Sequence, residues 1–230
     1  VEQNHSRIAK YVKSHRLDAI FGEETIKDMK LLSYGKGQAI CAAGDRLDHL
    51  YLLVKGKIKV YTLLPNGKSV LLRFNEPLAI IGDMELMTGY PVRCTVESVG
   101  ESLFIAIKAD ALRERAFDDP RFLTYIIKGL SHKLYTASNA SSLNLLYPVE
   151  NRLASYLLSI SPEACIHPAL EEMRTEKLTD LAELLGTSYR HLNRVITKLE
   201  KEGVITRKRG IIVIRDAHRM KELASGNLYQ

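Results

Sequence analysis

Between residues 38 and 107 the apolar positions come in short runs, broken by glycine and polar residues, with many β-branched side chains among them. These runs predict strands at 38–42, 50–54, 57–63, 70–74, 79–81, 93–99 and 103–107. Pro65-Asn66-Gly67-Lys68 predicts a hairpin turn, because Asn-Gly accepts the positive φ angles of a tight connection. Several short strands at this spacing predict a roll or barrel rather than alternating βαβ units. Residues 3–32 read as amphipathic helix, expected to pack at the mouth of that roll. A short helix is predicted over 109–117, followed by Asp118-Asp119-Pro120, where proline suits the first turn of a new helix. That second helix runs to about Leu146 and is stopped by Pro148.

Along the long helix Leu123, Ile127, Leu130, Leu134, Ala137, Ser141 and Asn144 recur at spacings of 4, 3, 4, 3, 4 and 3. This is a heptad seam, apolar at first and small or polar later. It fits either a junction between two copies of the chain or a helix laid on its own domain.

Farther on the period stays helical. Leu178, Leu181, Ala182 and Leu185 form one stripe, which Gly186 ends. Ser188 is a good N-cap for a helix over 189–202, whose buried stripe is Leu192, Val195, Ile196 and Leu199. Its other face carries Tyr189, Arg190, Asn193, Arg194, Thr197, Lys198 and Lys201. Two helices joined by a tight glycine turn, the second basic on its outer side, form a helix-turn-helix. The β-branched runs 204–206 and 211–214 flank Arg207-Lys208-Arg209-Gly210, which predicts a hairpin wing with a cationic tip. The predicted class is α+β. Its domains are a β-roll with flanking helices over 1–118, a long helix and hinge over 119–147, and a winged helix-turn-helix over 148–230.

Charge sharpens this picture. Residues 189–215 hold eight lysines and arginines against two glutamates, a net of +6, which equals the net charge of the whole chain. The remainder is balanced, so the basic character is a local device. A focused cationic face suits a polyanion, because neutralising phosphates releases condensed counterions. A charge run is more often a solvated face, but one on a helix-turn-helix and wing favours DNA.

Composition bounds the rest. At 230 residues the chain can hold two modest domains. No apolar run approaches the roughly 18–20 residues that cross a bilayer, so no membrane partner is expected. Val1-Glu2-Gln3-Asn4-His5 lacks the apolar core of a secretory signal, and an initiator methionine is absent. Cys41, Cys94 and Cys165 lie far apart with no CxxC spacing, as expected in a reducing cytoplasm. No P-loop, GxSxG, HExxH or Rossmann glycine fingerprint is present, which argues against an enzyme.

Roll, long helix, hinge and winged helix-turn-helix, in that order, resemble the Crp/Fnr family of bacterial transcription regulators. The resemblance rests on Gly44, Gly56 and Gly67 at the turns of the roll and on Ile81-Gly82-Asp83-Met84-Glu85-Leu86. It extends to Asn151-Arg152-Leu153-Ala154 past the hinge and to Leu184-Leu185-Gly186-Thr187-Ser188 before the reader helix. Ser188-Tyr189-Arg190-His191-Leu192 is similar to the YeiL-type branch. The resemblance implies a cyclic-nucleotide-binding-type, jelly-roll-like β-roll, a dimerisation helix and a homodimer that reads a pseudo-palindromic duplex and contacts RNA polymerase. The seam would be Leu123, Ile127, Leu130, Leu134, Ala137 and Ser141.

For base reading it implies Tyr189, Arg190 and Arg194, with Asn193 on the same side and suited to adenine. Arg194 matches an arginine that grips guanine O6 and N7. Arg190 replaces a glutamate that accepts from cytosine N4, so a TGTGA- or TTGAT-type half-site is not to be assumed. Ser188, Lys198, Lys201, Arg207, Lys208 and Arg209 are candidate phosphate contacts, which position without specifying.

The effector pocket it implies comprises Gly82, Asp83, Arg93, Cys94, Thr95 and Ser138, with Ala137 or Asn139 as alternatives to Ser138. Members that bind cyclic AMP use a Gly-Glu turn for the ribose and an Arg-Ser pair for the phosphate. Here Asp83 is one methylene short, Cys94 is a poorer donor than serine, and Leu78 stands where glycine is common. A cyclic nucleotide, another small effector and no small ligand all stay open, and Arg93 with Asp83 reads equally as a structural salt bridge. A four-cysteine iron–sulfur cluster within one chain is excluded by count. Cys94 reads as packing or as a redox sensor, and histidine spacing gives no support for haem. The rival function is a cyclic-nucleotide-binding regulatory subunit acting through protein contacts, against which the cationic segment argues.

Overall fold

The computed structural model describes residues 2–64, 69–160, 178–208, 211–225 and 229. The Pro65–Lys68 turn, Cys165, Arg209 and Gly210 lie outside the described residues, as do the side chains of Asn144 and Lys208. The chain divides into two compact units, Val1–Val60 with Asn75–Tyr135, and Tyr61–Phe74 with Thr136–Gln230.

The first unit opens with helices α1 (Glu2–Ser14) and α2 (Glu23–Lys27), with a 3-10 turn, Leu17–Ala19, between them. Strands follow: β1 (Lys30–Tyr34), β2 (Ala39–Cys41), β3 (His49–Lys55), β4 (Ile58–Leu63), β5 (Ser69–Asn75) and β6 (Ile80–Ile81). Helix α3 (Asp83–Thr88) precedes β7 (Thr95–Ser98), β8 (Ser102–Lys108), α4 (Ala109–Arg115) and the long α5 (Pro120–Leu146). One sheet runs β1-β8-β3-β6 and the other β2-β7-β4-β5, which is the two-sheet roll expected.

Strand β3 shows how the sequence dictates this. Leu50 to Val54 is apolar throughout, and every residue of it is buried. Side chains alternate across a strand, so both faces must be covered. Leu50, Leu52 and Val54, with Ile105 and Ile107 of β8, meet Ile8, Val12, Leu112, Phe122 and Ile126 of the helices and Phe21 of the loop before α2. Tyr51 turns the other way, edge-on to Phe104 at 6.4 Å between ring centroids, and Tyr34 meets the same ring at 5.4 Å. Burying each such side chain contributes about 1.5–3 kcal/mol.

Two expectations need correction. Residues 30–32 are strand rather than helix. Strand β1 pairs antiparallel with β8 from Lys30 opposite Ala106 to Tyr34 opposite Ser102, so the edge of β8 recruits it. The helices also cover the outer face of the β1-β8-β3-β6 sheet rather than the mouth of the roll, because that face presents the leucines of β3.

Helix α5 is laid on its own unit along one side and leaves part of the heptad seam exposed. Phe122 and Ile126 are buried in the core of the first unit, with Leu123 and Leu130 packed partly against it. Ile127 and Leu134 of the seam stay 61% and 74% exposed, and Ala137 and Ser141 are exposed as well.

In the second unit α6 (Val149–Ile160), α7 (Leu178–Leu184), α8 (Tyr189–Lys201), β9 (Ile205–Lys208), β10 (Ile211–Ile214) and α9 (Ala217–Ala224) build the helix-turn-helix and its wing. The wing strands pair antiparallel, with Ile205 opposite Ile214. Leu153, Leu157, Leu181, Leu185, Leu192, Ile196, Leu199 and Ile212 are buried. Asn151 Nδ2 donates to Leu223 O at 2.6 Å, tying α6 to α9, and the Arg152 guanidinium donates to Leu185 O at the end of α7. These two bonds explain the Asn-Arg pair physically. Tyr229 is buried too: its N donates to Ser159 Oγ at 3.0 Å and its O accepts from Phe74 N. Among the described residues no helix is long and apolar enough to cross a membrane.

Candidate nucleic-acid interface and effector pocket

The reader helix α8 is set by its turn. Gly186 has φ of +61°, a left-handed conformation that favours glycine, and a Cβ there would lie 3.2 Å from the Arg152 guanidinium. Ser188 caps α8, its Oγ accepting from His191 N at 3.2 Å. Only the hydroxyl proton of Ser188 remains for a phosphate.

The buried stripe Leu192, Val195, Ile196 and Leu199 locks the opposite face outward. Tyr189 is half exposed, and Arg190, Arg194 and Lys201 are exposed with no carboxylate paired to them among the described residues. Arg190 and Arg194 stand four residues apart, so they point from neighbouring turns of one face.

Two of the expected phosphate contacts are otherwise engaged. Lys198 Nζ donates to Glu150 Oε2 of α6 at 2.9 Å and lies 3.8 Å from Glu202 Oε1. The Glu150 carboxylate holds the Lys198 ammonium above the usual lysine range, so this cation braces α8 against α6. Arg207, on β9 beside the tip of the wing, donates from its guanidinium to Asn193 Oδ1 at 3.1 Å, and its N donates to Glu200 Oε1 at 3.0 Å.

In the first unit the candidate effector pocket is organised differently from expectation. Gly82 has φ of +92°, and a Cβ there would come within 2.8 Å of His49 O, so only glycine fits. It delivers Asp83 into the interior, where the residue is 1% exposed. The Asp83 carboxylate pairs with Lys133 of α5, whose side chain is 15% exposed. The reading of Asp83 with Arg93 as a salt bridge is therefore corrected: Lys133 is the partner. Arg93 is exposed, Cys94 is half-buried, and Thr95 Oγ1 accepts from Ala43 N at 3.4 Å. Ser138 is exposed on α5.

The second carboxylate oxygen of Asp83 and the Tyr125 hydroxyl are both buried without a hydrogen-bond partner among the described residues. Burial, and then the negative charge of Asp83, pushes the Tyr125 phenol up to about 12. Burial likewise pushes the Cys41 thiol up to about 12, which keeps it protonated and unreactive. Lys133 was missed in the sequence, yet it left a signal. It lies seven residues after Ile126, in phase with the buried stripe of α5, where a lone lysine must find a carboxylate.

Comparisons with known proteins agree with this architecture. The sequence model of the cyclic nucleotide-binding domain matches residues 31–119, and that of the Crp-like helix-turn-helix domain matches residues 151–223. The regulatory protein YeiL of Escherichia coli O157:H7 is 28% identical over 197 residues, covering 86% of each chain. A CRP-like cAMP-activated global transcriptional regulator of Mycobacterium tuberculosis is 23% identical over 200 residues, covering 86% of this chain and 89% of that one. Among solved structures, a CRP/FNR-family transcriptional regulator from Thermus thermophilus superposes with a TM-score of 0.70 at 23% identity, covering 86% of this chain and all of that one. FixK2 from Bradyrhizobium japonicum gives 0.66 at 22% identity, covering 85% and 96%. With one family domain matched over the roll, another over the reader, and relatives of near-full coverage in the same order, the chain belongs to the Crp/Fnr family of transcription regulators.

Proposed function

We propose that the chain acts as a homodimer that reads a pseudo-palindromic DNA site through paired α8 helices, with the roll as its sensory domain. The observation that carries this is α8 itself. One face is buried and fixed, and the other presents Arg190 and Arg194 without carboxylate partners among the described residues. Arg194 reads a guanine as a bidentate donor, with Arg190 beside it and Tyr189 at the first position. Ser188, Lys201, Lys208 and Arg209 supply phosphate contacts. The exposed seam positions of α5, Ile127, Leu134, Ala137 and Ser141, join the two copies, since two half-sites one helical turn apart need two readers. A contact with RNA polymerase belongs to the same reading.

For the roll, the occupied carboxylate favours a signal other than a ribose held at Asp83. An anionic effector would meet Arg93, which is exposed. Sedimentation and gel-shift titration of one preparation test the whole reading. A dimer at micromolar concentration should bind duplex DNA with affinity falling steeply as salt rises. A monomer that still binds a palindromic site tightly would count against it.

A further inference from the structure

We infer that Arg207 is a positioning residue for base reading rather than a phosphate contact, and that it turns Asn193 into a donor toward the groove. The inference rests on the DNA-reading function proposed above. Arg207 lies on β9 beside the tip of the wing, and a basic wing residue would ordinarily reach a backbone phosphate. Here it is tied down twice. Its backbone N donates to Glu200 Oε1 at 3.0 Å, and its guanidinium donates to Asn193 Oδ1 at 3.1 Å. Asn193 and Glu200 are seven residues apart on α8, two turns along one side, so β9 is held against that side at Arg207.

The chemistry fixes which way the amide faces. A guanidinium has donors only, so the Asn193 oxygen must face Arg207 and its NH2 must face away. Asparagine reads adenine with both ends at once, Oδ1 accepting from N6 and Nδ2 donating to N7. Oδ1 keeps a second lone pair, but with the first held by a cation it is the weaker acceptor for N6, so the NH2 group becomes the stronger contact. Its complements in the major groove are acceptors, guanine O6 and N7 or thymine O4. Asn193 is half-buried on α8 between Arg190 and Arg194, so it shares their approach to the base edges. The adenine expected of Asn193 is thus replaced by an acceptor base, and Arg207 sets that choice without touching it.

Binding-site selection from random duplexes tests this with the full chain as wild type, Arg207→Ala, Arg207→Lys, Asn193→Ala and the Arg207→Ala/Asn193→Ala pair. Wild type should select guanine or thymine at the base pair whose preference Asn193→Ala erases. Arg207→Ala should shift that one position toward adenine by about 5- to 10-fold, with the other positions and the salt slope unchanged. Arg207→Lys, which keeps a cationic donor, should preserve the preference. In the Asn193→Ala background the Arg207 change should add nothing at that position. Thermal melts of each variant separate misfolding from altered reading. If Arg207→Ala selects the wild-type motif, weakens all sequences alike and flattens the salt slope by about one unit, Arg207 touches phosphate and the inference is overturned. A wild type that selects no motif overturns the DNA-reading function itself, whereas an intact wild-type motif indifferent to Arg207 overturns only this step.

Discussion

Replacing Lys133 by methionine should be among the most damaging single changes in the roll. The substitution nearly conserves volume, so its cost is electrostatic rather than a cavity. Asp83 is 1% exposed and would be left as a buried carboxylate whose ion-pair partner is gone, with its other oxygen already unpaired. At contact distance and an effective dielectric near 20, the attraction being removed is about 4 kcal/mol before desolvation is counted. Breaking a buried pair from one side costs about 3–5 kcal/mol for the same reason. Asp83→Asn should cost less, because the Lys133 side chain is 15% exposed and can carry its ammonium toward water. The Asp83→Asn/Lys133→Met pair removes both charges and should recover most of the loss.

Urea unfolding of the four proteins, followed by circular dichroism and by hydrogen exchange of the β3 and β8 amides, reads the cycle. The coupling between the two sites should be about 2–4 kcal/mol. A Lys133→Met protein within about 1 kcal/mol of wild type would refute the reasoning. So would a double variant as unstable as the single one, since the buried charge would then not be the cause.

Three further outcomes follow from other parts of the molecule. Ile127→Glu with Leu134→Glu should make the protein monomeric at micromolar concentration in sedimentation, with little effect on the first unit's own stability because both side chains are exposed. Arg194→Ala should cost about 1–3 kcal/mol, mostly as lost discrimination at one guanine, whereas Lys201→Ala should weaken all sequences alike; competition gel shifts against single-base variants distinguish the two. Burial raises Cys41, Tyr51 and Tyr125 to about 12, so the stability they contribute is complete below about pH 9 and is lost as pH rises through 12. The urea midpoint should fall across that window, and Cys41→Val should make the fall shallower.

Periodicity carried most of the architecture into the sequence. Helix α8 was legible because its buried stripe, its Ser188 cap and the glycines at 186 and 203 mark one helix from independent directions. Strand β1 was not, since Lys30-Leu31-Leu32-Ser33-Tyr34 lacks strict alternation and becomes strand only because β8 offers it an edge.

The site divides along the same line. Arg190 and Arg194 could be placed from spacing alone, because a helix with one fixed face has no choice about where the other points. Lys198, Arg207 and Asp83 could not, because each partner lies far away in the chain: Glu150 for Lys198 at a separation of 48, Asn193 for Arg207 at 14, and Lys133 for Asp83 at 50. A charge run records how many cations an interface has, but only tertiary contacts decide which of them are free. Of the basic residues assigned to phosphate, Lys198 is paired as a brace within the second unit and Arg207 turns one guanidinium N–H to aiming a neighbour. The field of the cationic segment that steers DNA toward α8 is therefore larger than the set of cations that grip it, and specificity depends both on side chains left free among the described residues, such as Arg194, and on Asn193, which the fold has aimed.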